Sequence, residues 1–396
     1  MRVLSVTAQK PCSTGSGVYL TEVVRSLAKM GVSQAVVAGV TREDRVDMPE
    51  GVTVYPVYFS SEKLPYPVVG MSDEMPYTST RYRDMTEEMA GQFKAAFLEV
   101  LDEAIEKENP DIILCHHLYY LTALIRAHYP AKKVYGFCHN TDLRQMESIS
   151  FEKNFIRQEI PKLDRIFALQ EAQKEKIKKI YPVSEKQMTV IGTGYNSEVF
   201  KKTGIKSSRK DGKIRMIFAG KITQKKGVKS LLRALNLLVY EKEKIQLILA
   251  GGAGNLVEYE EIKELADGCR YPVVFAGCVT QSRLAELYND CDIFVLPSMY
   301  EGLPLTVIES LACGDRVVMT KLEGIAEWLA DMVPDADIRY VLPPGMKGTD
   351  EPLEEELPAF ESRLAEALRE AIEEKDTKEC DVSRISWQKI AREVIR

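Results

Sequence analysis

Short apolar runs alternate along the chain with longer stretches whose apolar residues recur at helical spacing. RVLSVTA (2–8) reads as a buried strand, QKPCSTGSG (9–17) as a turn-rich loop, and VYLTEVVRSLAKMG (18–31) as a helix that stops at Gly31. QAVVAGV (34–40) and GVTVYPV (51–57) follow as strands. A strand, a helix and a second strand of this kind make a βαβ unit, so the sheet is predicted to be parallel with right-handed crossovers. A long helix at 85–110 precedes the strands DIILCHH (111–117), KKVYGFCHNTD (132–142, strand and loop), DRIFALQ (164–170) and MTVIGTGYN (188–196). Together these predict one doubly wound domain.

The polar, basic stretch 197–213 reads as a domain boundary. Beyond it the pattern restarts with strands IRMIFAG (214–220), IQLILAG (245–251), PVVFAG (272–277), DIFVLPS (292–298), RVVMT (316–320) and RYVLPP (339–344). Helices such as 228–241 and 282–290 fill the gaps, and 386–396 is a short terminal helix carrying Trp387. The acidic run 351–363 reads as a solvated helix start. Residues 58–85 break the rhythm. They have several prolines and aromatics and no period, and a loop of that length inside a compact domain is usually functional or disordered.

Composition narrows the function. At 396 residues the chain can hold two domains, each with its own core. A formal net charge of −6 argues against a nucleic-acid binder but leaves room for a local basic pocket. No segment approaches the roughly 20 apolar residues of a membrane helix. The first residues are too poor in apolar side chains for a signal peptide, so a cytoplasmic location is expected. Eight cysteines, Cys12, Cys115, Cys138, Cys269, Cys278, Cys291, Cys313 and Cys380, stand singly without CxxC spacing. Free thiols, most of them buried, are expected rather than a zinc site or disulfides.

The stretch PSMYEGLPLTVIESLACG (297–314) carries the clearest chemistry. A strand ends, a loop carries Glu301, and a helix begins near Pro304, whose missing N–H costs nothing in a first turn. Gly314 suits the left-handed turn at the far end. The first N–H groups, of Leu305 and Thr306, favour an anion. Glu309, one turn in, can only accept hydrogen bonds, and ligand hydroxyls are its natural donors. A phosphate beside hydroxyls suggests a sugar nucleotide. The plain alternative is a pair of solvated glutamates.

GKITQKKGVKS (220–230) follows a strand and opens a helix. Its Lys221, Lys225 and Lys226 oppose the helix dipole, which an anion would offset; a solvated basic turn is the alternative. TGSG (14–17) lets backbone amides approach a phosphate, although Leu20 replaces the third glycine of a dinucleotide fingerprint and a plain turn reads equally well. His116, His117 and His139 stand at the carboxyl ends of neighbouring predicted strands, where open sheets bind ligands. A metal there lacks a carboxylate or cysteine at ligand spacing.

EGLPLTVIES, with its two glutamates eight positions apart, resembles the signature of family 4 retaining glycosyltransferases. The resemblance covers nearly the whole chain and is strongest in 214–320. It implies a GT-B fold: α/β, two doubly wound, Rossmann-like parallel-sheet domains facing a cleft. The first domain (1–196, with 380–396 packing back on it) is then the acceptor side, and the second (197–379) binds the nucleotide sugar. The reaction implied is hexosyl transfer from a nucleotide diphosphate sugar, a UDP-sugar being the first expectation, with retention and by front-face attack.

By the same resemblance, His139 contacts the donor sugar, and Lys226, with Lys221, neutralises the leaving diphosphate. Glu301 and the Gly302–Leu303–Pro304 turn hold the sugar hydroxyls, and Glu309 holds the ribose. Gly15, Ser16 and Gly17 face the diphosphate, Cys278 and Val279 read the base through their main chain, and His116 and His117 lie on the acceptor side. The family places an arginine where Lys221 stands; lysine keeps the charge and loses the bidentate fork. No metal or other cofactor is expected, since the cations replace a metal. The expected partners are the nucleotide sugar and a small-molecule, glycan or lipid-linked acceptor. The mixed helix charges tilt towards a soluble acceptor, with peripheral membrane contact left open, and segment 58–85 is read as an acceptor-side loop. A nucleotide-sugar epimerase on the same fold, or a non-catalytic sugar-nucleotide-binding protein, are the alternatives.

Overall fold

A computed structural model describes residues 1–11, 13–73, 75–209, 211–348, 351–374 and 380–396. Cys12 lies outside them. The chain divides into two compact units, Met1–Gly194 with Ser386–Arg396, and Tyr195–Ile385. Residues 380–385 thus cluster with the second unit.

The main sheet of the first unit has strands β1 (Arg2–Thr7), β2 (Ser33–Val40), β3 (Thr53–Tyr58), β4 (Ile112–His116), β5 (Lys133–Phe137), β6 (Arg165–Ala168) and β7 (Met188–Val190). Their order is β3-β2-β1-β4-β5-β6-β7, and every pairing is parallel. β2 is buried from Gln34 to Val40, as expected of a parallel strand covered on both faces. The second unit has β8 (Ile214–Ala219), β9 (Ile245–Ala250), β10 (Val273–Gly277), β11 (Ile293–Leu296), β12 (Arg316–Thr320) and β13 (Ile338–Val341). Their order is β10-β9-β8-β11-β12-β13, again all parallel. In each sheet the order reverses between one pair of strands, β1/β4 and β8/β11. Ligands of open parallel sheets bind outside the carboxyl ends at such a point.

Two predicted helix limits change. The first helix is Gly15–Lys29, because the Thr14 side chain accepts the Gly17 N–H at 3.1 Å and caps it there. Gly15, Ser16 and Gly17 therefore form a helical turn rather than a loop. The helix predicted at 228–241 ends at Asn236, leaving Leu237 and Val239 exposed. The long helix Glu87–Glu108 is capped by Thr86 and ends on Asn109 at φ 42°. It packs Phe93, Phe97 and Leu101 into the core of the first unit.

The aperiodic segment 58–85 belongs to that core as well. Leu64, Val68, Val69 and Tyr82 are buried, and Val69–Gly70 pairs with Thr80–Arg81. The Tyr66 hydroxyl donates to Met89 O (2.7 Å), and the Gln145 amide donates to Met71 O (2.9 Å).

The terminal helix Trp387–Val394 buries Trp387, Ile390, Ala391 and Val394. Trp387 meets the edge of Tyr19 at 4.8 Å, and a Cβ on Gly194 would come within 2.4 Å of its ring. Seven cysteines are free thiols, with Cys115, Cys138, Cys291 and Cys313 buried. Among the described residues, no helix is long and apolar enough to cross a membrane.

Candidate active site

At the β8/β11 reversal two loops meet. Gly220 continues from β8 by donating to Ala250 O at 2.9 Å. The chain then forms the short turn Gln224–Lys226, capped by Thr223 and closed by Gly227 at φ 73°. A Cβ on Gly227 would lie 2.0 Å from Pro297 O, so only glycine allows this approach of the two loops. Met299 N–H donates to Lys225 O at 2.9 Å and fixes their register. The result is an ion pair, Lys226 Nζ to Glu301 Oε1 at 2.6 Å, with side chains 26% and 13% exposed. Lys221 begins the same basic loop and is half-buried.

The helix Leu305–Ala312 starts beside this pair. Pro304 is its N-cap (φ −75°, ψ 109°), one position earlier than a first-turn proline, and makes no side-chain cap bond. The Leu305 and Thr306 N–H groups have no acceptor within the helix, and they stand at its positive end. At the other end, Gly314 (φ 84°) donates to Leu311 O and Asp315 to Ser310 O, at 2.9 and 3.0 Å, which closes the helix in a left-handed turn. Val307, Ile308, Ser310 and Leu311 fix its buried face, and Glu309 is buried with them at 6% exposure. The Glu309 charge is felt by Tyr288, whose hydroxyl burial already pushes well above its usual pKa. Gly302, Leu303 and Pro304 link Glu301 to the helix, Leu303 and Pro304 being buried.

Sequence reasoning missed Glu258. It lies in the first turn of helix Leu256–Asp267, and its Oε1 accepts the Gln224 N–H at 2.7 Å, which ties the basic turn to that helix. Nothing in the sequence marks it, because it sits among the ordinary charges of an amphipathic helix. Cys278 and Val279 follow β10, the edge strand, two strands away from the reversal. Cys278 is exposed, and its Sγ would be 2.8 Å from a Cβ on Gly252.

In the first unit the β1/β4 reversal gathers the histidines. His116 Nδ1 and His139 Nε2 are 3.0 Å apart, and the two rings stack with centroids 5.2 Å apart. His117 Nε2 lies 3.1 Å from Ser16 Oγ, which ties the helix start to the cluster. Gly17 has given its N–H to Thr14, so that amide is spent on the cap rather than offered to a phosphate. A Cβ on Gly15 would meet nothing within 4 Å.

Burial pushes His139 down to about 3 and His116 and His117 well below the usual histidine range, with His139 adding to both. The cluster is neutral at neutral pH. His117 (φ 76°) and Asn140 (φ 73°) hold left-handed backbone that is strained for non-glycine residues. Asp142 over-determines that arrangement. Its buried carboxylate accepts the N–H of Leu118 (2.7 Å) and of His139 (3.2 Å). Sequence reasoning missed Asp142 too, although it stands three residues after His139 in KKVYGFCHNTD. Among the described residues, no group of three His, Cys, Asp or Glu side chains is arranged to hold a metal ion.

Comparison with known proteins fits both halves. Residues 13–199 match the model of Glycosyltransferase Family 4, and residues 200–348 that of Glycosyl transferases group 1. An uncharacterized glycosyltransferase of Methanocaldococcus jannaschii is 29% identical over 172 residues, 41% of this chain and 44% of that protein. The chain thus spans less than half the length of that relative. D-inositol 3-phosphate glycosyltransferase 2 of Catenulispora acidiphila is 25% identical over 347 residues, 80% of this chain and 76% of that protein. The solved structure of sucrose-phosphate synthase from Thermosynechococcus elongatus has the same fold, with a TM-score of 0.70 at 16% identity over 100% of this chain and 97% of the other. With two family models in succession along its length, the chain belongs to the group 1, family 4 glycosyltransferases of the GT-B fold.

Proposed function

We propose that the chain transfers a sugar from a nucleotide diphosphate sugar to an acceptor hydroxyl, with retention at the anomeric carbon and without a metal. The observation that carries this reading is the Lys226–Glu301 pair beside the uncapped start of helix Leu305–Ala312, at the topological switch point of the second sheet. A cation and a carboxylate side by side suit a ligand with phosphate next to hydroxyls.

In the reaction, the bond from the anomeric carbon to the diphosphate oxygen breaks as the acceptor oxygen bonds to the same face of that carbon. The acceptor proton passes to the departing phosphate oxygen. Negative charge grows on the diphosphate, where Lys226, Lys221 and the Leu305 and Thr306 amides act on it. Glu301 with Gly302–Pro304 takes the sugar hydroxyls, Glu309 the ribose, and Cys278 and Val279 the base through their main chain. On the first unit, the neutral His139, with Asp142 as its positioning residue, is a hydrogen-bonding group suited to a sugar hydroxyl. A UDP-sugar is the first donor to try.

A thermal-shift panel of UDP-, GDP- and ADP-sugars tests this reading. One nucleotide series should raise Tm, since a ligand at a hundred times its Kd adds about 2.7 kcal/mol. No shift with any member at millimolar concentration contradicts the donor site.

A further inference from the structure

We propose that Lys153, Arg157 and Lys179 form a binding site for a phosphoryl dianion on the first unit, apart from the sheet edge that holds the histidines. The three cations line one cavity of about 140 Å³, together with Met146, Glu147 and Ile180. Lys153 and Arg157 stand one turn apart on helix Lys153–Glu159, and Lys179 is in the last turn of helix Glu171–Ile180. Arg157 and Lys179 are exposed, and Lys153 is half-buried. None of the three makes an ion pair or a side-chain hydrogen bond among the described residues. Their neighbours do: Lys162 pairs with Glu159, Lys174 with Glu171 and Glu185, and Lys178 with Glu175 and Glu185. In a chain of net charge −6, three such cations converging on one cavity repel one another, and a bound anion would relieve that repulsion.

The cavity lies away from the carboxyl edge of the sheet. Helix Glu171–Ile180 starts just after β6 and leads to β7, which is parallel to β6, so it runs back towards the amino ends of the strands. Its ten residues, at 1.5 Å each, carry its far end about 15 Å from the carboxyl edge. Lys179 and Ile180 stand at that far end, whereas His116, His117 and His139 stand at the carboxyl ends of β4 and β5. The Arg157 charge reaches the same place. It is felt at the hydroxyl of Tyr181, one residue past the helix, a group that burial pushes well above its usual pKa.

The charges select the ligand class. Three cations against one carboxylate, Glu147, leave a net charge of +2 on the lining. A phosphate monoester carries about −1.5 to −2 near pH 7 and three acceptor oxygens. The Arg157 fork and two lysine ammonium groups are suited to it. A neutral sugar would leave the cations uncompensated. Met146 and Ile180 add apolar wall, which strengthens the charge pairing by lowering the local dielectric. Lys153 also lines a second cavity of about 410 Å³, with Ser150, Glu152, Asn154 and Phe155, which gives room for the organic part of an ester. A soluble phosphate ester and the headgroup of phosphatidic acid share this chemistry.

The test uses the full chain carrying Lys226→Ala, so that the cation assigned to the donor diphosphate does not contribute. Calorimetric titration with inorganic phosphate at fixed ionic strength should show binding. Arg157→Gln with Lys179→Gln should weaken it about tenfold or more, the loss expected when charge-assisted hydrogen bonds go. Sedimentation with vesicles of phosphatidylcholine carrying phosphatidic acid, against phosphatidylcholine alone, separates the two sources. Capture that needs phosphatidic acid and is lost in the double substitution assigns the site to a lipid headgroup. Phosphate binding without capture assigns it to a soluble ester, and either result supports the site. Without ligand, the double substitution should melt no lower than its parent, because neither side chain has a carboxylate partner to lose; a lower Tm would show that the fold itself uses these cations and would overturn the site. Absence of both phosphate binding and capture, or either one unchanged by the double substitution, also overturns it. The transferase reading stands or falls separately, on the donor panel.

Discussion

Lys226 Nζ lies 2.6 Å from Glu301 Oε1, joining loops that are 75 positions apart in sequence. Both side chains are mostly withdrawn from water, so the pair lies between a weak surface bridge and a costly buried one. Its use is to hold two opposite charges at fixed places. Lys226→Ala and Glu301→Gln should therefore be coupled. A double-mutant cycle by urea denaturation should give an interaction energy of about 0.5–3 kcal/mol. Additivity within about 0.3 kcal/mol would mean that the bond contributes nothing.

Gly227 makes that pair possible. Its φ of 73° and the 2.0 Å approach of an added Cβ to Pro297 O leave no room for a side chain. Gly227→Ala should cost about 2 kcal/mol or more in denaturant unfolding. Gly15→Ala, in a helical first turn with nothing within 4 Å, should cost little or add stability. Equal effects at the two glycines would contradict the steric argument.

The histidine cluster should make the protein acid-sensitive. Folding holds His116, His117 and His139 neutral, with pKa values below that of an unfolded histidine, about 6.5. The unfolded chain therefore binds more protons in acid. Stability is fully present above about pH 6.5 and falls below it, by up to about 1.4 kcal/mol per pH unit for each histidine. Asp142, whose carboxyl burial pushes upwards, has the opposite sign. Melting curves from pH 8 to pH 5 should show the loss, and His116→Gln with His117→Gln should flatten it. A profile unchanged by the double substitution would mean that these histidines titrate normally.

Trp387 anchors the chain terminus. It is 5% exposed, packs on Tyr19 and sits over Gly194. Trp387→Ala should destabilise the first unit by about 3–5 kcal/mol, the usual cost of a large aromatic deletion. Proteolysis within 386–396 should then appear under native conditions. A loss below about 1 kcal/mol would mean that the helix contributes little to this unit.

Much of this was legible in the chain, because parallel sheets write themselves as apolar runs. IRMIFA, IQLILA and IFVL are strands since both faces are covered, and alternation with helices then makes the sheet parallel. The positions of Glu301 and Lys226 at strand-to-helix junctions, and of Glu309 one turn into its helix, were legible because an apolar strand precedes each junction. What was not legible depends on long-range geometry. The Thr14 cap took residues 15–17 into a helix, since a cap outweighs the turn preference of two glycines. Glu258 and Asp142 look like ordinary helix charges until Gln224 and His139 present their N–H groups to them. Segment 58–85 has no period because it is held by side-chain-to-backbone bonds such as Tyr66 to Met89, which leave no repeat to read.

The most direct test of the account is donor turnover by Lys226→Ala and Glu309→Ala, with the product's anomeric configuration read by NMR. Removing Lys226 should lower kcat about a hundredfold or more, as expected when one charge-stabilising group is lost at a leaving group. Removing Glu309 should act mainly on the donor KM, and the unaltered enzyme should give a product of retained configuration. Full activity in both variants, or an inverted product, would contradict it.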